Sequence, residues 1–329
     1  MKIQENIPLA QYTTFKIGGP ARYFVEVSAE EALLEAMKFA RKNKLEVFVL
    51  GGGSNVLVSD DGFDGLVIKL VGSKSPIGLL EPELVECWAG DSLASAVNFA
   101  RENSLSGLEW AAGIPGTIGG AIRGNAGAYG SDMGDVVESV RALKIPNNKL
   151  QISNKFQILK SKFQNRLKIK KYNLQDCRFG YRDSIFKQNK NLIILSCVLK
   201  LEKGDKNEIE KKTKEVLGNR SEKLPCDFSA GSFFQNPKVS NPELVARFER
   251  DVKCQARDGK IPAGWIIDEL GLRGKKIGGA MVSEKHANFV VNIGNAKAED
   301  VVMLTSFIKQ QARTKLGVHL QEEVQYVGF

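Results

Sequence analysis

GIPGTIGGAIRGNAGAYG, residues 113–130, carries seven glycines and one proline in eighteen positions. The glycines fall at Gly113, Gly116, Gly119 and Gly120, then at Gly124, Gly127 and Gly130, with Pro115 stiffening the loop. Such a density is too high for an ordinary core element, because each glycine gives up packing area and costs backbone entropy. The tight turns of a β-rich domain rarely need so many. Removing Cβ atoms does let backbone N–H groups approach an anion or the flat face of a ring. Asn125 and Tyr129 add a polar and an aromatic group to the same loop.

A second cluster, Gly51-Gly52-Gly53-Ser54-Asn55, runs straight out of the buried strand expected for LEVFVL (45–50). The residues after it, VLVSDDGFDGLVIKL, read as strands around a turn, so no helix follows the glycines. A Rossmann fingerprint needs strand, GxGxxG and then helix. Here the third glycine position is Val56, and the GxxxxGK[ST] of a P-loop is absent. Consecutive N–H groups of a glycine loop can still form an anion nest. The two clusters together suit a large flat ligand bearing a pyrophosphate.

Elsewhere the pattern is mixed α and β. Ser28-Ala29-Glu30-Glu31 reads as a capping box before a helix with Leu33, Leu34, Met37 and Ala40 on one face. DSLASAVNFAREN (91–103) is a second capped helix, with Leu93, Val97 and Ala100 inward. KNLIILSCVLKL (190–201) is a buried strand. The charged helix GDKNEIEKKTKEVLGNRSEKLP (204–225) marks a domain boundary. Pro262 opens a helix that stops at Gly271, and AEDVVMLTSFIKQQARTKLG is a long amphipathic helix. The last segment, VHLQEEVQYVGF, is expected as a strand. It puts Glu323 on one face with His319, Gln321 and Gln325, and Val318, Leu320, Val324 and Tyr326 on the other.

The chain has 329 residues, 43% of them apolar and 26% charged, as in a soluble globular protein of two or three domains. No secretory signal or membrane-length apolar run is present, so the expected location is the cytoplasm. Five scattered cysteines without CxxC spacing, and two histidines, point to reduced thiols and no metal site. The net charge of +9 is nearly accounted for by residues 149–171, with eight Lys or Arg and no acid. This run reads as a nucleic-acid or membrane patch, or as a solvated insertion. With no nucleic-acid-binding motif around it, the insertion is preferred, and neither nucleic acid nor membrane insertion is expected.

Six segments in order carry a family resemblance: TTFKIGGPA (13–21), LGGGSNVLVSDDGFDGLVI (50–68), AGIPGTIGGAIRGNAGAYG (112–130), CRFGYRDSIFK (177–187), SAGSFFQNP (229–237) and AGWIIDELGLRGKKIGGAMVSEKHANFVVN (263–292). Together they resemble the UDP-N-acetylenolpyruvoylglucosamine reductases, flavoenzymes of peptidoglycan synthesis. Only the basic segment finds no match. The resemblance implies an α+β protein: a two-lobed FAD-binding fold of the PCMH or vanillyl-alcohol-oxidase type, plus a C-terminal α+β substrate-binding domain. The expected division is 1–70 for the first lobe, 71–218 for the second with its basic insertion, and 219–316 for substrate. Residues 317–329 would return to the first lobe or to the active site. It also implies non-covalent FAD, NADPH as co-substrate, and UDP-N-acetylglucosamine enolpyruvate as substrate. A monomer is expected.

Residue by residue, the resemblance makes Arg182 the catalytic arginine, Ser232 the proton donor and Glu323 the catalytic glutamate, with Arg182 and Glu323 stabilising an enolate. FAD contacts fall on Gly51, Gly52, Gly53, Ser54 and Asn55, and on Gly113, Ile114, Pro115, Gly116, Thr117, Gly119, Gly120, Asn125, Gly127 and Ala128. Substrate contacts fall on Tyr129, Asn236 and His286. Without the motifs, Arg182 reads as a surface arginine paired with Asp183, Ser232 as a turn hydroxyl after Gly231, and Glu323 as part of a solvent face beside its competitor Glu322. Two positions depart from the family: Gln235 where Lys is common, and Met281 where Gln is common. Lys275, Lys276 or Lys285 could replace the missing charge. About 50 positions separate Arg182 from Ser232, too few for the extra tyrosine loop of the longer family form. Two other readings stay open: an oxygen-using oxidase of the same fold, and a flavin-fold binding protein without turnover.

Overall fold

Leu192–Lys200 shows how the sequence builds its sheets: residues 192–197 are all buried, as in a strand covered on both faces. It pairs antiparallel with Val137–Lys144 on one side and Leu84–Trp88 on the other. Edge strands Lys168–Asn173 and Gly78–Glu81 complete a five-stranded sheet. The computed structural model describes residues 1–73, 77–145, 167–256 and 259–329. The basic insertion therefore lies outside the described residues as far as 166. Lys168, Lys170 and Lys171 are exposed on the edge strand, where lysines discourage pairing with another chain.

The chain is α+β and divides into two compact units. One comprises Glu26–Glu35 and Lys69–Leu217, including the five-stranded sheet. Its helix Leu93–Glu102 is capped by Ser92, whose side chain accepts from the Ser95 N–H, and buries Leu93, Ala96, Val97 and Ala100. The other comprises Met1–Val25, Ala36–Ile68 and Gly218–Phe329. The stretches expected as first lobe and substrate domain thus contribute mainly to the same unit. The division falls inside the helix Lys206–Lys223, at 217/218.

The second unit holds two four-stranded sheets. One has the order Gln4–Pro8, Pro20–Val27, Phe63–Leu70, Glu46–Leu50. The other runs Phe228–Ser232, Phe289–Asn292, Ala280–Val282, Lys276–Ile277, all antiparallel. Helix Ala298–Leu316 buries Val301, Leu304, Thr305, Ile308 and Ala312 on one stripe and ends at Gly317 in the left-handed region. Pro242–Val252 is a helix that the sequence reading leaves unassigned. Asn241 caps it, Pro242 follows the cap, and buried Leu244 and Phe248 are spaced i, i+4. Phe248 packs edge-on against Trp265. Among the described residues no helix is long and apolar enough to cross a membrane.

The C-terminal segment needs a correction. It is not one strand: only Gln325–Val327 is, pairing parallel with Val56–Val58. Val318, Leu320 and Val324 are buried as expected, but so is Val327, while Tyr326 is only half-buried. The alternation slips after Val324 because residues 321–323 run beside 233–235 and residues 325–327 beside 56–58. Gln235 N–H donates to Gln321 O (2.9 Å) and Glu323 N–H to Phe233 O (2.8 Å) before the pairing changes partner.

Candidate active site

In the unit of the five-stranded sheet, the 113–130 stretch is not loop throughout. Ile118–Gly124 is a short helix, with Ile118, Ala121 and Ile122 buried. Thr117 caps it by accepting from Gly120 N–H, so the Thr117 hydroxyl is engaged within the loop. The turn after strand Leu84–Trp88 sews this segment down. Gly119 N–H donates to Ala89 O (2.9 Å), Ile118 N–H to Asp91 O (2.9 Å) and Leu93 N–H to Gly116 O (3.1 Å). The nearly buried Asp91 carboxylate receives Trp88 N–H at 2.8 Å and Ser73 N–H at 3.0 Å, and so shapes that turn. Sequence reading assigns Asp91 no role.

The glycines divide into two kinds. A Cβ on Gly119 would sit 2.9 Å from the Ala89 Cβ and 3.0 Å from its carbonyl oxygen, so the fold itself excludes it. A Cβ on Gly124 would meet no atom within 4 Å, and one on Gly120 only Thr117 Oγ1 at 3.5 Å. The helix therefore keeps open space beside Gly120 and Gly124.

Asn125 ends the helix in the left-handed region (φ 44°) and is 2% exposed. Its Nδ2 donates to Gly180 O (2.9 Å) and its Oδ1 accepts from Gly134 N–H (2.9 Å). Both ends of the amide thus bond within the protein. Ser184 Oγ donates to Arg123 O at 2.7 Å. These two bonds fasten the turn Gly180–Asp183, closed by reciprocal backbone bonds of 3.0 and 3.1 Å, against the end of the helix. Arg182 sits in that turn at φ 55°, a conformation costly for a residue with a Cβ. Lys187 Nζ donates to Arg182 O (2.7 Å), and Arg182 Nη2 donates to Gly127 O (2.8 Å). The Asp183 carboxylate receives Ser184 N–H and Gln188 Nε2. Gly127–Ala128 pairs with Ser131–Asp132, leaving Tyr129 at the hairpin tip, 55% exposed.

In the other unit, Gly51–Asn55 joins strands Glu46–Leu50 and Val56–Val58. Gly53 (φ 66°) is required locally, because a Cβ there would overlap the Tyr12 carbonyl. Thr14 N–H donates to Gly53 O (3.1 Å), and Thr14 Oγ1 donates to Ser229 O (2.7 Å). Asn55 accepts from Gln325 N–H (3.0 Å) and its Nδ2 donates to Glu323 O (3.3 Å). The glycine turn is thereby bonded both to the segment of Ser229 and to that of Glu323.

Ser232 ends strand Phe228–Ser232 after Gly231 (φ 77°), past a register shift between Ser229 and Ser232. Such an irregularity re-aims side chains at the end of a strand. Buried Asn288 holds the next residues, accepting from Phe234 N–H (3.0 Å) and donating to Phe234 O (2.8 Å). The bond from Glu323 N–H to Phe233 O sets Glu323 beside the residue that follows Ser232. Glu322 instead forms an ion pair with Lys309. Asn236 Oδ1 accepts from Ala263 N–H (3.1 Å) at the start of helix Ala263–Glu269. His286 Nδ1 accepts from Asn288 N–H (3.2 Å). Burial lowers the pKa of His286, and the nearby Arg273 lowers it further. Of the lysines offered in place of Gln235, Lys275 lies over the Phe307 ring and Lys285 donates to Ser221 O.

Residues 21–152 match the family described as FAD binding domain, which puts the chain in a flavin-binding protein class. Residues 224–327 match the C-terminal domain of UDP-N-acetylenolpyruvoylglucosamine reductase. Whole-chain similarity agrees. The reductase of Caldanaerobacter subterraneus is 39% identical over 328 residues, covering 99% of this chain and 94% of the relative. That of Solibacter usitatus is 35% identical over 331 residues, covering 100% and 97%. The crystal structure of UDP-N-acetylenolpyruvylglucosamine reductase from Thermus caldophilus superposes with a TM-score of 0.72 at 31% identity, covering 99% of each chain. The chain belongs to the UDP-N-acetylenolpyruvoylglucosamine reductase family.

Proposed function

We propose that the protein reduces the enolpyruvyl double bond of UDP-N-acetylglucosamine enolpyruvate to give UDP-N-acetylmuramate, with NADPH as reductant and FAD held non-covalently. When bound, FAD supplies the two-electron carrier between NADPH and the terminal carbon of the double bond. The open flank at Gly120 and Gly124 is room of the kind a flat nucleotide cofactor needs. The turn Gly51–Asn55 and the loop Gly113–Thr117 are its proposed backbone contacts.

The protein's own groups manage charge and protons. Arg182 holds the substrate carboxylate through two parallel N–H bonds and stays cationic as negative charge develops. Its backbone at φ 55° is fixed by four flanking bonds, so its guanidinium is aimed before substrate arrives. Ser232 Oγ gives its proton to the carbon next to the carboxylate. Glu323 is the second group that stabilises the developing enolate. Tyr129, Asn236 and His286 are proposed substrate contacts. The pairing of Glu323 N–H with Phe233 O carries the assignment most directly, since it sets two of the three reacting side chains on adjoining backbone.

Anaerobic half-reactions test this. NADPH should bleach the yellow FAD-loaded protein, and UDP-N-acetylglucosamine enolpyruvate should restore the colour within a turnover time. Reduced protein that regains colour with oxygen but not with this substrate would overturn the proposal.

A further inference from the structure

Helix Ile118–Gly124 has two unlike faces. Ile118, Ala121 and Ile122 are buried. Gly120, Arg123 and Gly124, spaced i, i+3, i+4, share the open flank. Arg123 is the only charged side chain on this helix. It is partly buried, and its carbonyl accepts from Ser184 Oγ. Among the described residues its guanidinium makes no hydrogen bond or ion pair. Burial lowers its pKa, and no acidic neighbour acts against that. Arg182 in the same unit donates to Gly127 O and lies 5.4 Å from the centre of the Tyr181 ring. Arg141 pairs with Glu30.

A guanidinium does not shed its proton to escape burial. Holding it partly desolvated without a counter-charge therefore costs free energy that the fold alone does not recover. The neighbouring positions on the same face lack side chains, so a ligand can come close to it.

We propose that Arg123 is an anion-binding residue that receives a phosphate of a bound nucleotide on the glycine flank of helix Ile118–Gly124. Its planar fork suits two parallel bonds to phosphate oxygens. The oxyanion class follows from Arg123 and its surroundings, while assigning the anion to a nucleotide rests on the proposed function. Phosphates of FAD, of NADPH and of the UDP-sugar share this chemistry.

The test uses the full chain with Arg123→Met, which removes the charge and keeps the apolar length, and Arg123→Lys. In the apoprotein, Arg123→Met should hold or raise the thermal midpoint, because it removes an uncompensated charge. Inorganic pyrophosphate should raise the wild-type apoprotein midpoint but not that of Arg123→Met, a comparison independent of the reductase reading. If the FAD diphosphate is the ligand, Arg123→Met should weaken FAD binding by about tenfold or more, leave riboflavin binding unchanged and be partly rescued in Arg123→Lys. If the anion comes from the other nucleotides, FAD binding is retained, and NADP⁺ or UDP titrated into the holoprotein weakens instead. The proposal is overturned if pyrophosphate, FAD, NADP⁺ and UDP all bind wild type and Arg123→Met alike. It is equally overturned if the Met variant lowers the apoprotein midpoint while FAD and riboflavin weaken together, since Arg123 is then structural.

Discussion

Glu322 and Glu323 are adjacent carboxylates with different employment. Glu322 pairs with Lys309, whereas Glu323 is held by its backbone to Phe233 and Asn55. Sequence alone leaves them as competitors, because choosing between them requires knowing that helix Ala298–Leu316 brings Lys309 to one of the two. Glu322→Gln should leave both half-reactions near wild type. Glu323→Gln and Ser232→Ala should leave reduction by NADPH intact but slow re-oxidation by substrate about 10²–10⁴-fold, the usual contribution of a positioned acid. Stopped-flow absorbance of the flavin separates the two steps, and equal slowing of both would assign these residues to cofactor binding. Asn125 is the residue whose role the sequence conceals most. Its amide staples Gly134 to Gly180, a link that its place in a glycine loop does not announce. Asn125→Ala should cost about 2–4 kcal/mol, from unsatisfied buried groups and a Cβ-bearing residue without local hydrogen bonding in the left-handed region. Asn125→Gly should incur only the amide part of that loss, because glycine tolerates the left-handed backbone. Both should raise KM for the enolpyruvyl substrate by loosening the Arg182 turn. A glycine variant with wild-type stability and KM would show that the amide does not position Arg182.

At the scale of elements, the short helix Ile118–Gly124 tests what its glycines are for. Gly119→Ala pushes a methyl group to about 3 Å from Ala89, so the apoprotein should lose stability, read as a lower urea midpoint. Gly120→Ala meets only ordinary contact and adds helix propensity of about 1 kcal/mol. Its apoprotein should be as stable as wild type or more so, while FAD binding weakens. A Gly120→Ala protein that binds FAD normally would place the cofactor elsewhere. Composition reveals that these glycines matter; which one faces Ala89 and which faces open space depends on the turn at Asp91. The segment around His286 behaves as a unit in a different way. His286 Nδ1 holds Asn288 N–H, and Asn288 holds Phe234. The pKa of His286 is lowered in the fold, so the unfolded chain takes up the proton first. This group's contribution is complete above about pH 6.5 and falls as the pH drops from there to the folded value. In urea unfolding, His286→Gln should therefore lose less stability than wild type as the pH is lowered below about 6.5.

Across the whole molecule, the legible part of the fold was whatever repeats locally: the helix stripes from Leu93 and Val301, the buried strand at Leu192, the glycine clusters. The illegible part was every bond between distant segments, such as Thr14 to Ser229 or Asn55 to Glu323, since no periodicity encodes a partner hundreds of residues away. The C-terminal strand depends on such bonds. Gln325–Val327 lies beside Val56–Val58, Gln325 N–H donates to Asn55 O, and Ser59 N–H donates to Val327 O. Val327 is 4% exposed in a cluster with Leu9, Phe24, Val56, Val58 and Phe63. Val327→Ala should cost about 2 kcal/mol, for two buried methyl groups and the cavity they leave. Its Glu323 should remain anchored through Phe233, so re-oxidation by substrate stays near wild type once the protein is folded. Deleting residues 325–329 also removes the bond to Asn55 and frees the end of the segment that carries Glu323. The deletion should therefore slow re-oxidation as Glu323→Gln does, while NADPH still reduces the flavin. If the shortened chain folds, retains FAD and re-oxidises at the wild-type rate, the parallel strand contributes stability alone and Glu323 takes its position from Phe233.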